Sequence, residues 1–413
     1  MTIPTLPKHV PTPGAPAFAQ RLRALMTAGT PAVCPIHVGL GDPVPGSSSL
    51  ATITHAIARH LVDGTADQLP VFNTAPPPAL RILQAASWAR LDAMTGDFDQ
   101  MPADLAGDLW HCVGAVCASP GELTRAEGRA ASDLLLRLGY PRRAGEVLGL
   151  LDADIHTHVF HPETVRAELA VLFRLHPGAQ DILEERALQA AADESLPPRA
   201  RLALANFVVV RNGKRGTQTL ALHTAAWFGQ QAMAQITGSG MDRHLAEHTL
   251  YRAIAYVPFL RKDGDQTMEL LDRAALALED ACPSPDAGLQ RLAWEDHAFP
   301  MFETLSKTLL AQGKTEQALA SSERLTHLSP YDHRAWAVRA QALVAAGHLE
   351  DAAVAWEQTL PQGGLPVAAA LFYLGWVHQQ LGSPAEAAEH YRRSLAVDPT
   401  APVVNEHLEA VTA

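Results

Sequence analysis

Basic charge is in short supply in this chain. Its 413 residues hold 32 lysines and arginines against 44 aspartates and glutamates, a formal net charge of −12. Two basic spots, Arg142 to Arg143 and Arg211 to Arg215, are short and suit solvated helix ends or turns. A body that neutralises a phosphate backbone is therefore not expected. Cysteine is also rare: Cys34, Cys112, Cys117 and Cys282 form neither a disulfide framework nor a zinc-ribbon spacing, which suits a reducing compartment. Apolar runs long enough to cross a bilayer are missing, and Met1 to Pro4 does not begin a basic region followed by an apolar stretch. Neither a membrane span nor a signal peptide is expected, and the cytoplasm is the expected compartment. Catalytic signatures are absent too. There is no G-x-S-x-G elbow, and the Gly39 to Gly46 stretch lacks the lysine of a phosphate loop. Few isoleucines and tyrosines stand among many alanines and leucines, in a hydrophobic content of 47%, so helix is favoured over sheet.

What the chain does have is a period. Gly313, Gly347 and Gly382 stand 34 and 35 residues apart inside otherwise helical sequence. In the last unit Leu371, Leu374 and His378 share a helical stripe, Gly375 permits a close helix approach, and Gly382, Ser383 and Pro384 make a turn. The following helix presents Ala387, Tyr391 and Leu395 before Asp398 and Pro399 end it. The preceding unit repeats the scheme with Trp336, Leu343, Gly347, Ala352, Trp356 and Leu360. The one before has Phe302, Leu305, Leu309, Gly313, Ala318, Leu325 and Pro330. No helix of such a pair could bury its apolar face alone, so neighbours must stack.

This succession resembles the tetratricopeptide (TPR) repeat family, whose units are helix-turn-helix pairs of about 34 residues. The match is good in the last unit and partial in the other two. In the two earlier ones Ser306, Arg339 and Ala340 replace parts of the Leu-Gly pair, and Ser322 replaces the aromatic. The expected fold is all-α, a solenoid of TPR-like repeats behind a proline-rich N-terminal arm. Residues 1–48, with nine prolines, form the arm, residues 49–118 an N-terminal helical region, 119–285 degenerate helix pairs, 286–401 the repeats, and 402–413 a capping helix. In the degenerate part the pairs are expected at 122–138 with 142–151, 162–176 with 179–193, 197–211 with 217–236, and 242–262 with 266–281. Their breaks fall at Pro177, Gly213, Gly238 and Gly264.

The resemblance implies a concave groove lined by the first helix of each pair, which in this family holds peptides or partner proteins. It places Phe372, Tyr373, Trp376 and Gln379 on the groove in the last repeat, and Glu303, Thr304, Lys307, Arg334, Val338 and Gln341 in the two before. The expected contacts to a partner are Phe372, Tyr373, Trp376, Gln379, Lys307 and Arg334. The lysine and asparagine set that clamps a terminal carboxylate in some members is not found. Asn206, Arg211 and Asn212 could contact a peptide backbone, as in bacterial TPR peptide sensors, which the chain resembles in size and helical layout alone.

Two histidine groups offer different chemistry. Asp152, Asp154, His156, His158 and His161 lie within ten residues, and an extended segment would turn alternate members to one side, a feasible set for a divalent metal. Asp154, His156, His158 and His161 are the candidate ligands. His244, Glu247 and His248 spell H-x-x-E-H, which resembles the inverzincin signature in five residues; the competing reading is a solvated helix face. The leading expectation is a non-enzymatic scaffold for a protein or peptide, without nucleic acid, membrane or cofactor. The alternative is a metal-binding accessory protein or metal-dependent enzyme built on His156, His158 and His161.

Overall fold

A computed structural model describes residues 49–70, 72 and 115–413, apart from 139–140, 177, 285–286, 330–331, 361–364 and 400. The arm at 1–48 and the helices expected across 79–114 lie outside the described residues. Every regular element described is a helix, as the composition implied.

The first, α1 (Ser49–Val62), is followed by a left-handed Gly64 and buries Ile53, Ile57 and Leu61 at four-residue spacing. The chain divides into two compact units, one containing His111–Met301 with Ala56–Ala75, the other containing Phe302–Ala413.

The first unit is a run of antiparallel pairs: α2 (Arg125–Leu138) with α3 (Pro141–Val147), α4 (Val165–Leu175) with α5 (Gln180–Ala192), and α6 (Pro198–Arg215) with α7 (Leu220–Gln235). Then α8 (Met241–Ile254) and α9 (Tyr256–Leu260) pack on α10 (Gly264–Asp280). All four expected pairs are present, with two differences. Gly213 does not break α6, which runs on to a left-handed Gly216; a Cβ at Gly213 would meet the Tyr256 ring at 2.3 Å, so the glycine serves helix approach. The helix expected over 242–262 is split at Ala255, where Pro258 withdraws one backbone donor.

Polar joins reinforce this unit. Arg137 is fully buried, with Nε 3.2 Å from Asp133 and Nη2 3.8 Å from Asp296, and its guanidinium lies 5.7 Å from the Phe72 ring centroid. Glu184 on α5 accepts from Arg211 (3.1 Å), Arg215 (3.2 Å) and Asn212 (2.6 Å) of α6. Cys117 is buried and its thiol is pushed up to about 11 by that burial, so it packs as a small hydrophobe.

Helix α11 (Leu289–Ala311) carries Pro300 within it. Its last turns open the second unit, which continues with α12 (Thr315–Leu328), α13 (His333–Ala346), α14 (Leu349–Glu357), α15 (Leu365–Gln380), α16 (Pro384–Val397) and α17 (Pro402–Thr412). The three periodic glycines take φ values of 71°, 83° and 75° at the turn between the two helices of each pair. A side chain there would cost about 1–2 kcal/mol, so the period read in sequence is a period of left-handed turns.

Side chains then lock the pairs. Ser306 Oγ donates to Ser321 Oγ at 2.9 Å, Arg339 donates to the Leu319 carbonyl at 2.8 Å, and Ser394 Oγ donates to the Ala368 carbonyl at 2.8 Å. Gly375 brings α15 and α16 together: an added Cβ would lie 2.6 Å from the Tyr391 ring and 3.1 Å from the Ala387 carbonyl oxygen. Gly375→Ala is expected to lower stability by about 1–3 kcal/mol through overpacking, and Gly382→Ala by roughly 1–2 kcal/mol through backbone strain. Thermal denaturation of the two variants checks this; an unchanged midpoint for Gly375→Ala would show that the two helices do not approach so closely.

Candidate functional site

The first helices of the C-terminal pairs, α11, α13 and α15, carry the groove positions expected from the sequence. On α11 Lys307 Nζ lies 2.6 Å from Glu303 Oε1 and keeps 53% of its side chain exposed. On α13 Arg334 grips Asp332, with Nη2 to Oδ2 at 2.8 Å and Nε to Oδ1 at 3.1 Å, and its Nη1 lies 3.8 Å from Glu303 Oε2. Asp332 also caps α13, its Oδ1 accepting from the Arg334 amide at 2.9 Å.

Two cations and two carboxylates thus form one chain of contacts across adjacent first helices. Burial pushes the Asp332 carboxyl up, but Arg334 beside it outweighs that and holds it below the usual range. Glu303 behaves alike: burial raises it, and Lys307 and Arg334 bring it below its ordinary value. Arg334 is held at two points, whereas the exposed Lys307 pair is worth little and can be exchanged for an outside acceptor.

The last repeat departs from the expectation. Phe372 is fully buried and Trp376 is 5% exposed, so neither side chain lies on an accessible groove. Phe372 packs against Tyr391 of α16 and meets His407 of α17 edge-on at 5.3 Å, in a cluster that includes Val404. Trp376 belongs to the core shared with Trp356 and Leu343. The cause is composition: α15 is apolar nearly all round, and such a helix is covered on every side, here by α14, α16 and α17. What stays partly open is Tyr373, stacked on Trp356 at 4.7 Å, and Gln379, whose Oε1 accepts from Tyr391 at 2.8 Å. Val338 is buried as well.

The expected metal ligands do not assemble. Asp154 closes a turn on itself, accepting from the His156 amide and from Thr157 Oγ1, each at 3.0 Å. His158 Nε2 sits 2.8 Å from Glu168 Oε2, and the same carboxylate accepts from the His161 amide (3.2 Å) and from Thr164 Oγ1. His161 Nδ1 faces the Glu163 amide at 3.3 Å. Among the described residues no three His, Cys, Asp or Glu side chains converge as a ligand group. Spacing brought these residues close in sequence, but Glu168, in the first turn of α4, takes the loop as a structural anchor.

Nor is H-x-x-E-H a solvated face or a zinc grip. Glu247 pairs with Arg243 at 3.1 Å, and His248 points into the core, its Nδ1 2.9 Å from the Ala274 carbonyl and its ring 5.9 Å from that of His297. Of the residues expected to meet a peptide backbone, Asn206 is buried, and Arg211 and Asn212 bind Glu184 and tie α6 to α5 instead.

Burial, with the positive charge of Arg252, lowers the His248 pKa from 6.5 to about 3. The folded chain refuses a proton that the unfolded chain accepts below about pH 6.5, so this contribution to stability is complete above that pH and is lost progressively as pH falls toward 3. His390, lowered to about 4 by burial and by His378, adds to the same limb. His248→Asn is expected to flatten the fall of melting temperature below pH 6.5, and an unaltered slope would place the titrating group elsewhere.

Profiles of the tetratricopeptide-repeat family match residues 304–365 and 368–401. No curated protein matches the chain. Among solved structures, the human IFIT1 dimer with PPP-AAAA is similar at a TM-score of 0.49 and 12% identity, covering 96% of this chain and 84% of that one. The human IFIT1 dimer with m7Gppp-AAAA gives 0.48 at 12% identity, over 96% and 85% of the two chains. The APC/C hetero-tetramer Cut9-Hcn1 gives 0.26 at 14% identity, over 88% and 75%. No described helix is long and apolar enough to cross a membrane.

Proposed function

We propose that this chain, whose residues 304–401 are tetratricopeptide repeats, is a non-enzymatic scaffold that holds a segment of a partner protein along the first helices α11, α13 and α15. The observation that supports this reading is the register of three successive pairs, in which Lys307 is exposed and Arg334, Tyr373 and Gln379 stay partly exposed on first helices. The Glu303, Lys307, Arg334 and Asp332 chain of charges suits a polar, extended segment better than a strongly acidic tail. A carboxylate could recruit Lys307, but would have to displace Asp332 from a two-point contact to recruit Arg334. Contact with the last repeat falls on Tyr373 and Gln379, because Phe372 and Trp376 are committed to the core. The cytoplasm remains the proposed location. No observation favours the metal-dependent alternative at His156, His158 and His161.

A partner captured by the intact chain and then purified is expected to bind Lys307→Glu combined with Gln379→Ala about tenfold or more weakly, measured by titration calorimetry with circular dichroism to confirm folding. Undiminished binding by the folded double variant would remove the inner face as the site.

A further inference from the structure

A second surface lies in the first unit, on residues that the sequence did not single out. Between α7, α9 and α10 runs an open trough of about 390 Å³. Its floor is apolar and buried: Ala226, Ile254, Val257 and Pro258. One wall is Trp227, which keeps 54% of its surface exposed on a helix face that begins at Leu220, itself 83% exposed seven residues earlier. An indole left in water beside an apolar floor is a cost to the isolated chain, and it is the kind of group that anchors interfaces.

The rim is basic in a chain that is otherwise acidic. Arg261 and Arg273 line the trough, and among the described residues neither forms an ion pair, whereas Arg137, Arg211, Arg215, Arg291 and Arg334 each do. Arg273 is held ready by Tyr251: its Nη2 donates to the phenol oxygen at 2.7 Å and its guanidinium lies 4.2 Å from the ring centroid. Arg261 stands on a turn in which Lys262 adopts φ 60° and Asp263 caps α10 through the Gln266 amide at 3.0 Å. A planar guanidinium without a carboxylate partner matches an incoming carboxylate at two points. Glu269 on the same rim would repel a continuous phosphate backbone, and the apolar floor offers such a backbone nothing.

We propose that this trough docks an extended segment of a partner protein in which an aromatic or proline side chain, seated on Trp227, stands next to an aspartate or glutamate held by Arg261 and Arg273. The site does not depend on the inner face of the repeats and could serve the same partner or a different one.

The test is selection of a display library of random linear peptides on the intact chain, on Trp227→Ser and on Arg261→Glu. Both positions are exposed, so the variants should melt as the parent does; Arg273→Gln, which disturbs Tyr251, is kept as a secondary variant. Peptides recovered on the parent and lost on both variants should pair an apolar ring with an acidic residue. A synthetic copy of one of them, read by fluorescence anisotropy, should bind each variant about tenfold or more weakly, and less tightly as salt is raised. It should bind Lys307→Glu, Gln379→Ala as it binds the parent, which separates this site from the inner face. Recovery of the same peptides on parent and variants, selection of basic sequences, or displacement of the peptide by single-stranded oligouridylate would each overturn the proposal.

Discussion

The fold rests on a left-handed turn that returns each helix against the one before it. At Gly313, Gly347 and Gly382 the chain adopts φ values that an alanine would take only at a cost, and each turn brings two apolar stripes face to face. Neither stripe can be buried within its own helix, so the pair is the smallest stable piece and the next pair is needed to cover it. Close approach follows from the same economy of side chains: Gly375 admits the Tyr391 ring, and Gly213 admits Tyr256. Beyond the last pair, α17 covers Phe372 with Val404 and His407.

Where the period loosens, carboxylates do part of the joining. Glu184 gathers Arg211, Arg215 and Asn212, Glu168 gathers the loop around His158 and His161, and Asp133 and Asp296 flank the buried Arg137. Charge placed this way stabilises register more than it adds net energy, because burial costs much of what attraction returns. The consequence for recognition is that most of the side chains able to meet a partner are already engaged with the chain itself. Lys307, on the repeats, sits in a weak and exchangeable pair, and Arg261 with Arg273, on the first unit, have no ion pair among the described residues.

Helices, turns and pairing order were legible without coordinates. They depend on local properties: spacings of three and four, glycine at left-handed positions and proline at helix starts act within a few residues. The misplacements share another cause. Phe372 and Trp376 sit on a helix that is apolar on every side, so periodicity could not say which face would remain open. His156, His158 and His161 looked like ligands because they are close in sequence, but Glu168, in the first turn of α4, takes the His158 ring and the His161 amide. The trough at Trp227 gave only a faint signal, an exposed apolar spacing of seven from Leu220, since its floor also draws on α8 and α9 and its rim on α10 and the turn before it.

The amino-acid sequence by itself thus determined an all-helical chain of pairs, ending in regular repeats, because each turn is specified by residues within one helix length of it. Which side chains face a partner was decided only by the tertiary structure. Burial is a property of what a neighbouring helix covers, and ion pairing of which opposite charge comes within reach, and neither is written in the spacing along one strand of sequence.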